Sequence, residues 1–146
     1  MPVVELKGDL LASDCKVIAH GCNCFRTMGS GVARAIRQRY PRAYDADLAT
    51  SYGDRSKLGS YSAVYDKQDD RWIVNLYTQF TFGTKPVELD YEALEKGLQC
   101  LKALSEPDWK IGLPMIGCGL AGGNWTRVKA IIETVFNDRT VYIYQL

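Results

Sequence analysis

Apolar and polar positions along this chain follow two rhythms, one of period two and one near 3.6, and the change of rhythm marks out its elements. Val3–Lys7 reads as a short strand, closed by Gly8-Asp9-Leu10-Leu11 as a turn. Residues 16–19 form a second, buried strand that ends at His20-Gly21, and a polar, glycine-bearing loop covers 22–31. Val32, Ala35, Ile36 and Tyr40 then recur at helical spacing, which predicts a helix from about Gly31 to just before Pro41. Pro41 suits the first turn of another helix over 42–50. Residues 59–66 alternate as a strand, Gln68-Asp69-Asp70 turns the chain, and 72–79 is the next strand. After a loop over 80–89, Asp90 caps a helix carrying Leu94, Leu98, Leu101 and Leu104 on one face. A central strand over 110–116, a helix marked by Val128, Ile131, Ile132 and Val135, and a last strand over 140–144 complete the chain.

Strand and helix patterns alternate in the second half, which predicts an α/β sandwich with helices on both faces of a mixed sheet. Ligands of such sheets sit beyond the carboxyl ends of strands. Two strands here run into small, flexible loops: Ala19-His20-Gly21-Cys22-Asn23 and Ile116-Gly117-Cys118-Gly119. The second continues as Leu120-Ala121-Gly122-Gly123-Asn124-Trp125, four glycines in seven residues and then a helix. Glycine loses the most backbone freedom on folding, and a tight turn needs only one or two. A loop that brings backbone N–H groups up to a bulky anion, with a helix N-terminus behind it, accounts for more of them. Met28-Gly29-Ser30-Gly31-Val32-Ala33 repeats the design, so two loops and two helix dipoles can close on one diphosphate. Neither loop is a Walker loop, since no Gly-Lys-Ser/Thr follows, and Gly117 to Gly122 fits GxGxxG by letter only.

Composition narrows the classes. At 146 residues one domain spanning 1–146 is expected, with a core that needs no staples. A net charge of +1 gives no global field for nucleic acid or membrane, and neither is expected as a partner. The loose cluster Arg34, Arg37, Arg39, Arg42 reads as a solvated helix face, with nucleic-acid contact as the alternative. No run is long and apolar enough to span a membrane, and the N-terminus does not read as a signal peptide. Five cysteines without a CxxC pair, and one histidine, read as reduced thiols of a cytoplasmic protein with no metal and no cofactor.

In order and spacing, Gly8-Asp9-Leu10, Ala19 to Asn23, Met28 to Ala33, Asp90-Tyr91-Glu92-Ala93-Leu94 and Gly117 to Trp125 together resemble the macrodomain family over nearly the whole chain. The resemblance implies a three-layer α/β/α sandwich with a central mixed, mostly parallel sheet, and a pocket for ADP-ribose. It implies Gly8, Asp9 and Leu10 as ligand-binding, with Asp9 accepting from the adenine amino group, and places Tyr144 over the ring. It places Asn23 at the distal ribose. Gly29, Ser30, Gly31 and Val32, with Gly117, Cys118, Gly119, Leu120, Ala121 and Gly122, would hold the phosphates. Each residue has a plainer reading: Asp9 and Asn23 as turn residues, Tyr144 as strand-end packing, Cys118 as a small loop residue without thiol chemistry.

Within the family the chain looks most like the stand-alone branch that includes ADP-ribose 1″-phosphate phosphatases. That branch implies His20 and the residue at 124 as catalytic, with His20 protonating the leaving oxygen or orienting water. Asn124 stands where that branch commonly carries Asp, and Asn cannot take a proton from water. Asn124 also reads as an N-cap, and His20 as a strand-end hydrogen-bonding group. A neighbouring branch removes ADP-ribose from protein or nucleic acid through a Lys nucleophile; Gln79 stands where that Lys falls, and Ala121 where protein-directed members carry Asp. A module that reads ADP-ribose or ADP-ribosylated macromolecules without chemistry is the remaining class.

Overall fold

The computed structural model describes residues 3–82, 89–119 and 121–146. Six strands, β1 (Val3–Lys7), β2 (Val17–Cys22), β3 (Tyr61–Asp66), β4 (Arg71–Tyr77), β5 (Ile111–Leu113) and β6 (Val141–Gln145), form one sheet in the order β1-β6-β5-β2-β4-β3. Every neighbouring pair is parallel except β3 and β4, so the sheet is mixed and mostly parallel. The helices are α1 (Gly31–Arg39), α2 (Pro41–Leu48), α3 (Tyr91–Leu104) and α4 (Trp125–Val135).

Strand parity divides the core into the two outer interfaces of a three-layer sandwich. Val17 and Ala19 of β2, with Val74 and Leu76 of β4, face the apolar stripes of α3 and α4. Ile18 and Ile73, one residue out of phase, face Ile36 of α1 and Ala43 of α2. Both faces of the central strands are covered, which is why β2 and β4 read as nearly continuous apolar runs. Asn75 interrupts the run in β4 and is fully buried.

Of the boundaries that differ from the sequence reading, among them β4, expected over 72–79 and found at Arg71–Tyr77, three have a plain local cause. The strand expected over 110–116 ends at Leu113, because Pro114 has no N–H for a ladder and its carbonyl accepts from Ile116 N–H in a turn (2.9 Å). β2 runs past His20 to Cys22, paired with β4 through His20↔Asn75, Gly21↔Leu76 and Cys22↔Tyr77. β3 starts at Tyr61, since Gly59 takes φ +86° and Ser60 N–H closes a turn onto Lys57 O. Of the loop expected over 80–89, residues 83–88 lie outside the described residues.

Candidate functional site

Five parallel strands deliver their carboxyl ends to one edge of the sheet. Along that edge lie Gly8-Asp9-Leu10 after β1, Tyr144 near the end of β6, the glycine loop after β5, the Asn23 loop after β2, and Thr78-Gln79 after β4. The ends of β2, β4 and β5 touch at Gly21. A Cβ there would stand 2.6 Å from Thr78 Oγ1 and 3.2 Å from Ile116 Cγ2, so only glycine fits. Thr78 Oγ1 is buried and has no hydrogen-bond partner.

The glycines after β5 have different reasons. Gly117, at φ +72°, leaves no room for a Cβ, which would come 2.7 Å from the Leu89 methyls. A Cβ on Gly123 would come 2.5 Å from Leu89 Cδ2 and 2.7 Å from Gly117 O. Gly122 takes φ +73° and donates to Gly119 O (3.1 Å), while Gly123 N–H donates to Gly117 O (2.7 Å). These three fold the loop back on itself over Leu89. Gly119 is exposed, and a Cβ there meets nothing within 4 Å. Gly29 and Gly31, at the start of α1, also face open space. Ser30 occupies the N-cap position of α1 without a side-chain cap bond, and no acidic residue sits in the first turn. The N–H groups at Gly31 and Val32 therefore keep their donors for an external acceptor.

Residues 19–132 match the Macro domain family model. The chain belongs to the macro domain family. This macrodomain is 42% identical over 155 residues to the uncharacterized 17.5 kDa protein in the tk-vs intergenic region of Enterobacteria phage T4, covering 98% of this chain and 96% of that one. It is 30% identical to the Homo sapiens ADP-ribose glycohydrolase OARD1 (99% and 91% covered). It is 24% identical to an ADP-ribose 1″-phosphate phosphatase of Saccharomyces cerevisiae (99% and 98% covered).

At the β1–β6 end of the edge, Asp9 is exposed and its Oδ1 accepts from Leu11 N–H (3.0 Å), capping a single helical turn over Leu10–Ala12. Its second oxygen is left to solvent or a ligand. Leu10 turns inward and is 5% exposed, so its side chain belongs to the core. Gly8 N–H donates to Gln145 O (2.9 Å), and the Tyr144 ring lies 3.8 Å from where a Gly8 Cβ would be. Tyr144 also packs against the α1–α2 core, where burial raises its hydroxyl pKa.

In the middle of the edge, Cys118 makes a sulfur contact to Ile116 O (3.4 Å), and burial pushes its thiol pKa up, away from nucleophile chemistry. Ala121 is buried, and its carbonyl accepts from Leu89 N–H. Leu120 lies outside the described residues. Asn124 is exposed, and its Oδ1 accepts from Arg127 N–H (3.2 Å) as the N-cap of α4, while its own N–H donates to Tyr91 Oη (2.9 Å). Its side chain is thus engaged by the helix it starts.

At the β2–β4 end, Asn23 Oδ1 accepts from Phe25 N–H (2.8 Å), and its Nδ2 donates to Thr27 Oγ1 (2.6 Å). His20 is only 1% exposed, with Nε2 2.7 Å from Asn75 Oδ1. Burial pushes its pKa down to about 4, against the raising effect of the Asn75 bond, so the ring is neutral near pH 7. The family resemblance implies His20 at the site, protonating the leaving oxygen or orienting water. The structure places it beneath the edge, on the α1–α2 face.

His20 terminates a buried polar chain that the sequence reading did not find. The Tyr77 hydroxyl donates to Asp47 Oδ1 (2.7 Å) and receives from Ser62 Oγ (2.9 Å). Ser62 Oγ accepts from Asn75 Nδ2 (3.0 Å), which also donates to Ala43 O (3.0 Å). Those two bonds fix the Asn75 amide, so its Oδ1 faces His20 and holds the proton on Nε2. A polar residue inside Trp72-Ile73-Val74-Asn75-Leu76-Tyr77 was the signal for it.

Proposed function

We propose that this macrodomain binds ADP-ribose along the carboxyl edge of its sheet and hydrolyses the terminal phosphate of ADP-ribose 1″-phosphate. Adenine lies over Tyr144 with its amino group on Asp9. The diphosphate lies between the Gly119 loop and the start of α1, and the distal ribose reaches Asn23. Water attacks phosphorus, the bond from phosphorus to the C1″ oxygen breaks, and backbone N–H groups of the two loops hold the phosphoryl oxygens.

The observation that carries phosphate hydrolysis over sugar transfer is the end of β4. Gln79 stands there in place of an amine, and its Nε2 donates to Thr81 O (2.8 Å). Ala121 supplies no carboxylate beside it. An amide cannot form a Schiff base with C1″, whereas attack by water on phosphorus needs no protein nucleophile. With Asn124 engaged as a cap and His20 buried, the water's proton passes to the substrate's own phosphate oxygens and from there to the departing C1″ oxygen. Those same two placements favour one second reading, a module that binds ADP-ribose without turnover.

Phosphate release measured beside calorimetry with ADP-ribose separates the two. Release of phosphate from ADP-ribose 1″-phosphate by wild type carries the first reading. Binding without release, with release gained in Asn124→Asp, carries the second, because a carboxylate at that helix start can accept a proton from water. No turnover by either protein removes the phosphatase assignment.

The adenine end has its own check. Asp9→Asn keeps an oxygen to cap Leu11 N–H but removes the charge. It is expected to weaken ADP-ribose about tenfold and ribose 5-phosphate very little. Equal losses for the two ligands place Asp9 away from the base.

A further inference from the structure

The described residues expose three large aromatic side chains, Tyr52 (64%), Phe82 (60%) and Tyr61 (42%). All three sit at the same side of the fold. Phe82 follows β4, Tyr61 opens antiparallel β3 opposite Leu76, and Tyr52 packs on Phe25 of the loop after β2. They therefore lie beyond the β2–β4 end of the carboxyl edge, and soluble domains seldom gather exposed rings in one place without a use.

The cluster is built around Phe25. Its ring meets Tyr52 at 5.3 Å and 90°, Phe80 at 5.0 Å and 71°, and Phe82 at 6.3 Å and 89° between centroids and planes. Backbone bonds fix it in place: Cys24 N–H donates to Phe80 O (2.9 Å) and Gly53 N–H to Cys24 O (2.7 Å). Gly53 is required, since a Cβ there would come 2.9 Å from Phe25 Cε2. Two guanidinium groups lie on the rings, Arg55 over Phe80 at 3.9 Å and Arg26 over Tyr52 at 5.1 Å. Arg26 holds φ +56°, a conformation costly for a non-glycine residue. Among the described residues neither arginine is ion-paired; Arg26 Nη1 donates to Leu48 O (3.0 Å), Arg55 is exposed, and the nearby Asp54 carboxylate is turned to Ser56 N–H and Oγ (2.8 and 2.7 Å).

We propose that this aromatic–arginine surface docks single-stranded nucleic acid, with bases stacked on Tyr52 and Phe82 and backbone phosphates met by Arg26 and Arg55. Rings that stay exposed on a fixed frame offer π-faces to unpaired bases, and guanidinium groups without a carboxylate partner beside them match a phosphate chain. A duplex hides its base faces and does not fit. The near-neutral net charge of +1 is compatible with this surface, because its attraction is short-ranged and rests on stacking and two cations. The proposal rests on the reading of the carboxyl edge as the ADP-ribose groove, since that places the surface beside the terminal end of the ligand.

Fluorescence anisotropy with a labelled ten-nucleotide oligoadenylate, its duplex with oligouridylate, and ADP-ribose calorimetry on the same proteins test it. Wild type is expected to bind the single strand in preference to the duplex, with a salt slope of roughly −1 to −2 for two phosphate contacts. Tyr52→Ala and Phe82→Ala are each expected to weaken the single strand about tenfold, and Arg55→Ala about fivefold, with ADP-ribose affinity unchanged. Absence of single-strand binding at millimolar protein overturns the proposal, as does equal binding of duplex or indifference to all three substitutions. If Tyr52→Ala instead weakens an ADP-ribosylated peptide and leaves the oligonucleotide unaffected, the partner is a protein and the proposal also fails. Failure of wild type to bind ADP-ribose would overturn the groove reading separately.

Discussion

Gly119→Glu is expected to lower ADP-ribose affinity by about a hundredfold or more while leaving the melting temperature nearly unchanged. The two halves of that expectation have separate grounds. Gly119 is exposed, is absent from the glycines held at positive φ, and a Cβ there meets no atom within 4 Å, so the fold tolerates a side chain. A carboxylate at that point would stand in the space assigned to the diphosphate, where like charges in a partly dry groove cost several kcal/mol. Gly123→Ala is the control with the opposite signature. Its Cβ would lie 2.7 Å from Gly117 O, a backbone atom that cannot swing aside, and 2.5 Å from Leu89 Cδ2. Overpacking of that kind costs about 1–3 kcal/mol and should lower melting by roughly 3–10 °C. Calorimetry and a thermal scan on both variants decide the matter. A folded Gly119→Glu protein that binds ADP-ribose as wild type does would remove the loop from the diphosphate.

That pair of variants also shows where sequence reading stops. The glycine cluster, its place after a central strand and the helix behind it were legible, because each follows from local pattern and chain order. Which glycine answers to a ligand was not, because the demand on Gly117 and Gly123 comes from Leu89, far earlier in the chain. Helix starts were read well where a local signal sets them: Asp90 caps α3 through Ala93 N–H (3.0 Å), and Pro41 opens α2. Asn124 carried two readings, cap and catalysis, and the side chain is seen in the first. His20 was legible as a strand-end residue; its depth was not. Parity puts it on the same face as Ile18, but only the packing of α2, with Ala43 O over Asn75, seals that face. The Phe25 cluster escaped for the same reason, since its members come from three separate loops joined only by the fold.

The sealed histidine leads to the second large effect, a loss of about 3 kcal/mol of stability as pH falls from 7 to 4. The sign follows from the pKa pair. The fold lowers His20 from 6.5 to about 4, so it favours the neutral ring. That contribution is fully present above pH 6.5 and is lost as the unfolded chain takes up a proton that the folded one refuses, down to about pH 4. Half-buried surface carboxylates with lowered pKa, such as Asp69 beside Tyr40 and Arg39, act in the same direction but at more acid pH and weakly through solvent. Asp47, whose pKa is raised by burial, acts in the opposite direction. His20→Gln isolates the histidine, because a glutamine N–H can still meet Asn75 Oδ1 and does not titrate. Urea unfolding across this pH range should show a steep loss for wild type and a shallow one for the variant. Identical slopes would mean that the ring is not held neutral by the fold. The same variant bears on the chemistry. If the His20 proton takes no part, turnover of ADP-ribose 1″-phosphate stays within about twofold of wild type. A fall of about a hundredfold or more, the ordinary size of a lost general acid, would return His20 to the reaction and require the α2 side of the groove to open during turnover.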